Sequence, residues 1–171
     1  MEKVIENKIK IIKLTVDYYQ LVEILKYTEC GNKLEIRTNN KMIRWYSNGQ
    51  IECRKNYTYG ELNGLCESWY YNRQLFLRTN YTDGELNGLC EIWHNDGQIC
   101  FRMNYKDDKL NGLYEKWHTN GQLQERTNYT EDKLNGLYEE WYENGQLQER
   151  TIYIDGIEIY SVNYGQHSAG S

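Results

Sequence analysis

Glutamate and arginine recur in fixed phase along this chain: Glu67, Glu91, Glu115 and Glu139, with Arg78, Arg102, Arg126 and Arg150. Carboxylates beside basic groups are what general acid–base catalysis uses. Three histidines (His94, His118, His167) and five cysteines (Cys30, Cys53, Cys66, Cys90, Cys100) complete the set of potential bases, nucleophiles and metal ligands. Their spacing argues against each use. Cys66 and Cys90 share one phase of a 24-residue beat, and His94 and His118 share another. If each beat adds two strands, equivalent residues lie about 10 Å apart. That is too far for a disulfide and too wide for one zinc to take both histidines at ~2 Å. No nucleophile is placed beside a histidine, and no glycine-rich loop leads into a helix. No catalytic, cofactor or metal site is expected, so the chain is read as not an enzyme. An odd cysteine count without paired motif spacing reads as free thiols in a reducing, intracellular compartment.

The spacing points to architecture instead. At a period of 24, the 171-residue sequence collapses into one motif. Trp45, Trp69, Trp93, Trp117 and Trp141 keep the beat, as do Tyr57, Tyr81, Tyr105, Tyr129 and Tyr153. Four Leu-Asn-Gly-Leu segments place Gly64, Gly88, Gly112 and Gly136 in phase. The register is unbroken from Trp45 to Tyr153, and residues 121–127 repeat identically at 145–151, as recent tandem copies would.

Each unit reads as a β-hairpin. Asn120-Gly121 and Asn144-Gly145 signal a two-residue type I′ turn, and Ser47-Asn48-Gly49 and Asp96-Gly97 are close to it. Asp83-Gly84 and Asp155-Gly156 are turns between units. The expected fold is all-β: an elongated single-layer antiparallel meander of 24-residue hairpin repeats. With Asn120-Gly121 central, Glu115 faces Arg126, Trp117 faces Gln124 and Gly112 faces Tyr129. The same register pairs Glu67 with Arg78, Glu91 with Arg102 and Glu139 with Arg150. Opposite charges across an antiparallel pair add roughly 0.2–1 kcal/mol each, so these are expected to be structural pairs. A tyrosine over a strand glycine covers backbone otherwise left open.

Alternation sets Leu113, Glu115 and Trp117 on one face, with Tyr114, Lys116 and His118 on the other. The first set hardly varies between units. The second drifts, as in Ser68, Ile92, Lys116 and Glu140. The constant tryptophans read as a packing ladder between repeats. Tryptophan and tyrosine also anchor interfaces, so the ladder doubles as a candidate partner surface.

Composition narrows the classes. Seventeen Tyr and five Trp in a chain 39% hydrophobic suit positions wet on one side. A single Ala, Ala169, and no Pro argue against an all-helical protein. No run approaches the ~18 apolar residues of a membrane span, and no leader pattern opens the chain, so neither a transmembrane nor a secreted protein is expected. Residues 1–55 hold 11 Lys+Arg against 7 Asp+Glu, and residues 56–171 hold 9 against 18, giving +4 and -9. An acidic array disfavours nucleic acid and an anionic membrane alike. The basic section with Lys8, Lys10 and Lys13 has the charge to touch anionic lipid or an acidic partner. Eighteen Asn and fourteen Ile beside no Pro suggest an AT-rich genome.

Residues 1–39 read as an N-terminal cap with a degenerate repeat, 40–156 as the repeat array, and 157–171 as a closing strand and polar tail. Residues 8–16 fit a strand. Residues 17–26 have apolar positions at helical spacing behind Asp17 as N-cap. Residues 33–39, however, echo 122–128, which makes 21–30 a strand and Gly31-Asn32 its turn. The strand reading is preferred.

Units such as residues 81–98, with Leu86-Asn87-Gly88-Leu89, Glu91 and Trp93, resemble MORN repeats, in particular the variant with Asn-Gly and a following Leu. The likeness covers residues 40–156. It implies an elongated sheet of hairpins that acts as a scaffold in protein assembly or as a membrane-associating module. The variant also occurs in many copies in large DNA viruses and in proteins labelled antitoxin components. The resemblance thus implies a non-enzymatic scaffold binding protein, self or heterologous, as a structural component of a virion or another large assembly. A phosphoinositide tether through the basic end and an antitoxin-like neutraliser are the alternatives. Departures from the pattern are Asn40 for the glycine, Ile43 for the glutamate and Arg73 for a turn glycine.

An open meander leaves edge strands with unpaired N–H and C=O groups. Residues 157–164 lack the Lys and Pro that protect an edge. Ile157, Ile159 and Val162 are therefore the expected interface with another chain.

Overall fold

Turn signals every dozen residues leave little room for helices, and the computed structural model is a succession of strands. It describes residues 10–15, 22–27 and 33–165. First come β1 (Lys10–Thr15), β2 (Val22–Tyr27), β3 (Lys33–Arg37) and β4 (Lys41–Trp45). Then follow β5 (Ile51–Thr58), β6 (Glu61–Leu62), β7 (Gly64–Trp69), β8 (Leu75–Thr82), β9 (Glu85–Trp93) and β10 (Ile99–Lys106). The last six are β11 (Lys109–Trp117), β12 (Leu123–Thr130), β13 (Lys133–Leu134), β14 (Gly136–Trp141), β15 (Leu147–Ile154) and β16 (Ile157–Asn163). They lie in chain order as one open antiparallel sheet, with β6 and β13 as short outer pieces of the strands that continue as β7 and β14.

The described residues contain no helix. The helical alternative for residues 17–26 gives way to β2, which is hydrogen-bonded to β1 and β3 on both sides. A helix that short is marginal without packing, whereas a strand here joins an existing ladder. The turn expected at Gly31-Asn32 and the tail from residue 166 lie outside the described residues.

Two kinds of turn alternate, one along each long edge. The Asn-Gly loops are not the two-residue type expected. His118 accepts from the Gly121 N–H at 2.9 Å and donates its own N–H to the Gln122 carbonyl at 2.8 Å, so the loop is Thr119-Asn120-Gly121. Only Gly121 is left-handed, at φ +83°. This is a three-residue loop closed by a glycine bulge. Asn120 Oδ1 accepts from the Gln122 N–H at 3.0 Å, and Asn48, Asn72, Asp96 and Asn144 repeat that bond. Such local side-chain acceptors are why Asn and Asp occupy the position. The bulge shifts the register by one, so Trp117 faces Leu123 rather than Gln124. True two-residue turns with both central residues at positive φ join the units: Tyr59-Gly60, Asp83-Gly84, Asp107-Asp108, Glu131-Asp132 and Asp155-Gly156.

A single layer has no enclosed core, and burial runs instead in rows across the sheet. On one face Glu67, Glu91, Glu115 and Glu139 are buried; on the other Cys53, Cys66, Thr79, Cys90, Met103, Thr127 and Thr151 are. Long neighbours on adjacent strands cover each row.

Candidate functional site

On the arginine face the register lines up Arg54, Glu67, Arg78, Glu91, Arg102, Glu115, Arg126, Glu139 and Arg150, each opposite the next. Within hairpins, Nε or Nη atoms of Arg78, Arg102, Arg126 and Arg150 meet Glu67, Glu91, Glu115 and Glu139 at 3.2, 3.3, 2.9 and 2.6 Å. Between hairpins the contacts are longer, 3.8, 4.0 and 3.4 Å for Arg54–Glu67, Arg78–Glu91 and Arg102–Glu115. Arg126 and Glu139 face each other without closing an ion pair. The guanidinium groups of Arg54, Arg78 and Arg102 also lie 5.6–5.8 Å from the ring centres of Trp69, Trp93 and Trp117 in the following unit. Trp45 and Trp141 sit in the same phase, opposite Ile51 and Leu147. Arg78 and Arg102 thus tie their own hairpins to the next through charge and through an aromatic face, and Arg54 reaches the next hairpin in the same two ways.

The opposite face is lined with tyrosine. Tyr81, Tyr105, Tyr129 and Tyr153 lie across from Gly64, Gly88, Gly112 and Gly136. Gly112 shows why glycine is needed there: its φ is +111°, and a Cβ would stand 3.2 Å from that of Asn104. Another row on this face changes character along the sheet. It runs Ser68, Leu77, Ile92, Phe101, then Lys116, then Glu125, Glu140 and Glu149, each opposite the next. Burial, aided by Glu140, holds the Glu125 carboxyl above its ordinary range despite Lys116. Tyr114 and Tyr138 flank the acidic end, and burial with the nearby carboxylates raises both phenols.

Burial also raises the thiols of Cys53, Cys66, Cys90 and Cys100, which suppresses the reactive thiolate. Cys30 and His167 lie outside the described residues. His118 contacts the Trp141 carbonyl at 2.8 Å, and Tyr46 and Tyr70 in the same phase reach Trp69 and Trp93. These bonds cross from one repeat to the next, and sequence reasoning missed them because side-chain reach has no linear signature. It missed the acidic row too.

At the far end, Ile157, Ile159 and Tyr160 are 66%, 56% and 60% exposed, while Val162 is half-buried opposite Arg150. Tyr160 holds the phase that Gly64, Gly88, Gly112 and Gly136 hold upstream, and its backbone stays out of the left-handed region. The bulge of the earlier units does not form there as before. β16 slips by one, and Arg150 meets Val162 instead of a residue in the glutamate phase.

Residues 86–107, 110–131 and 134–155 match the MORN repeat variant. The chain carries MORN repeats of this variant. Each matched unit starts at the leucine after a two-residue turn and ends inside the next such turn. MORN repeats are a non-catalytic all-β family, commonly scaffolds or membrane-binding modules. No curated protein matches the chain. Among the described residues, no helix is long and apolar enough to cross a membrane.

Proposed function

We propose that this MORN-repeat chain is a non-enzymatic scaffold that binds protein as a structural component of a larger assembly, a virus particle being one such setting. The outer edge of β16 carries the reading. Among the described residues no strand pairs with that edge, and its N–H and C=O groups run beside Ile157, Ile159 and Tyr160, with exposed Ile152 and Ile154 on the neighbouring strand. A contiguous apolar patch on an unprotected edge is a place where another chain adds. That chain is a second copy or a heterologous structural protein.

Cross-linking of gently purified native material should recover a partner joined near residues 150–164. Recovery as an unassociated monomer from every native source would overturn the proposal. Ile159→Lys should weaken association in sedimentation while circular dichroism stays unchanged, since repeats couple mainly to their neighbours. The chain should not float with anionic liposomes at low salt; flotation would replace the scaffold reading with a membrane tether.

A further inference from the structure

At the acidic end of the tyrosine face, Glu149 accepts from Thr151 and Ser161 at 2.7 and 3.2 Å, but Glu125 and Glu140 have no such role in holding the sheet. Upstream, the same row is filled by Leu77, Ile92 and Phe101, so the sheet builds without charge there. Glu125 instead faces Glu140, which faces Glu149, and like charges directly opposite destabilise an antiparallel pair. Among the described residues, Glu125 and Glu140 make no hydrogen bond or ion pair, and Lys116 alone in the row opposes their charge.

Thr127 adds a second observation. It follows Glu125 on the same strand and face, is 0% exposed, and its Oγ1 has no hydrogen-bond partner. Its counterpart Thr151 donates to Glu149 Oε1 at 2.7 Å. In the last repeat the carboxylate leans onto the threonine; in the one before it does not, and the acceptor capacity of Glu125 stays unused. Around this row, Tyr114 packs edge-on against Tyr129 at 5.6 Å and Tyr138 against Tyr153 at 6.1 Å. They stand where upstream units carry Cys66 and Cys90.

We propose that Glu125, Glu140 and Glu149, framed by Tyr114 and Tyr138, form a docking site for a cationic polypeptide segment of a protein partner. Lysine or arginine side chains enter between the carboxylates and lay their stems on the tyrosine rings. Charge-assisted hydrogen bonds and cation–π contact supply the attraction, and apolar residues of the same segment continue onto Phe101 and Ile92. A single metal ion fits less well: the carboxylates spread over roughly 10 Å across three strands, and no acidic cluster among the described residues has metal-binding geometry. The site rests on the scaffold reading and supplies the chemistry of one partner.

Fluorescence anisotropy of the full chain with a labelled peptide of alternating lysine and leucine tests it. Binding should fall at least ~10-fold on replacing Glu125, Glu140 and Glu149 with Gln. The same substitution at exposed Glu61, Glu85 and Glu143 removes equal charge and should leave affinity within ~2-fold. Glu140→Lys, which relieves the like-charge contact and so keeps the fold, should weaken binding as well. Unchanged affinity in the row variants, or equal loss in the control set, overturns the proposal. That failure would leave the β16 edge intact as an interface, because native cross-linking and Ile159→Lys read a different surface.

Discussion

Glu115 should be the most sensitive single charge in the array. Its side chain is 7% exposed; Oε1 takes Arg126 Nε at 3.0 Å and Nη2 at 2.9 Å, and Oε2 lies 3.4 Å from Arg102 Nη1. Hydrogen bonds to charged groups contribute about 1.5–3 kcal/mol when buried. The two arginines are 41% and 49% exposed, so water replaces part of what they lose. Glu115→Gln should therefore cost about 1–2 kcal/mol, and Glu115→Ala about 2–3 kcal/mol with the lost stem packing. Glu131→Gln is the reference: its pair with Lys109 is 3.6 Å long and exposed on both sides, and its loss should cost under about 0.5 kcal/mol. Urea unfolding followed by tryptophan fluorescence reads the differences. Native-state hydrogen exchange at β11 and β12 guards against partial unfolding of the array. Double-mutant cycles should give a larger coupling for Glu115–Arg126 than for Glu115–Arg102, and none resolvable for Arg126–Glu139. If Glu115→Gln costs no more than Glu131→Gln, the row is a set of independent surface pairs and the inter-repeat account is wrong.

His94 occupies the phase of Tyr46, Tyr70 and His118, yet its Nε2 is buried without a partner. His94→Tyr should restore the bond to the next repeat's tryptophan carbonyl and stabilise by about 0.5–1.5 kcal/mol, seen as a raised melting temperature. Arg73 takes φ +76° where other units have glycine. Arg73→Gly should relieve left-handed strain of about 1 kcal/mol, read as a shifted urea midpoint. The raised Glu125 carboxyl binds its proton more readily in the folded chain. Its contribution to stability is fully present below the ordinary glutamate range and lost as pH rises through the raised value. Glu125→Gln should accordingly be the more stable protein at pH 7, with the gap closing only on acidification below the ordinary glutamate range, as measured by urea midpoints at each pH.

The 24-residue beat in the sequence is enough to dictate an antiparallel meander. Hairpin partners are near in the chain, and alternation assigns each residue a face. That is why the facing of Glu115 with Arg126 and of Gly112 with Tyr129 could be read from numbers alone, and why both faces could be told apart. Turn type could not. Whether Asn120-Gly121 closes a loop of two residues or three depends on where the last ladder bond forms, and Gln122 N–H bonding to Asn120 Oδ1 favours the bulged form. The slip of β16 likewise follows from a backbone conformation that Tyr160 does not adopt. The acidic row was hidden for a different reason. Glu125 and Glu149 share one phase of the repeat and Glu140 another, so nothing in the linear order groups them. Antiparallel pairing folds the two phases onto one line, and only then do three separate glutamates become neighbours whose charges must be met by something.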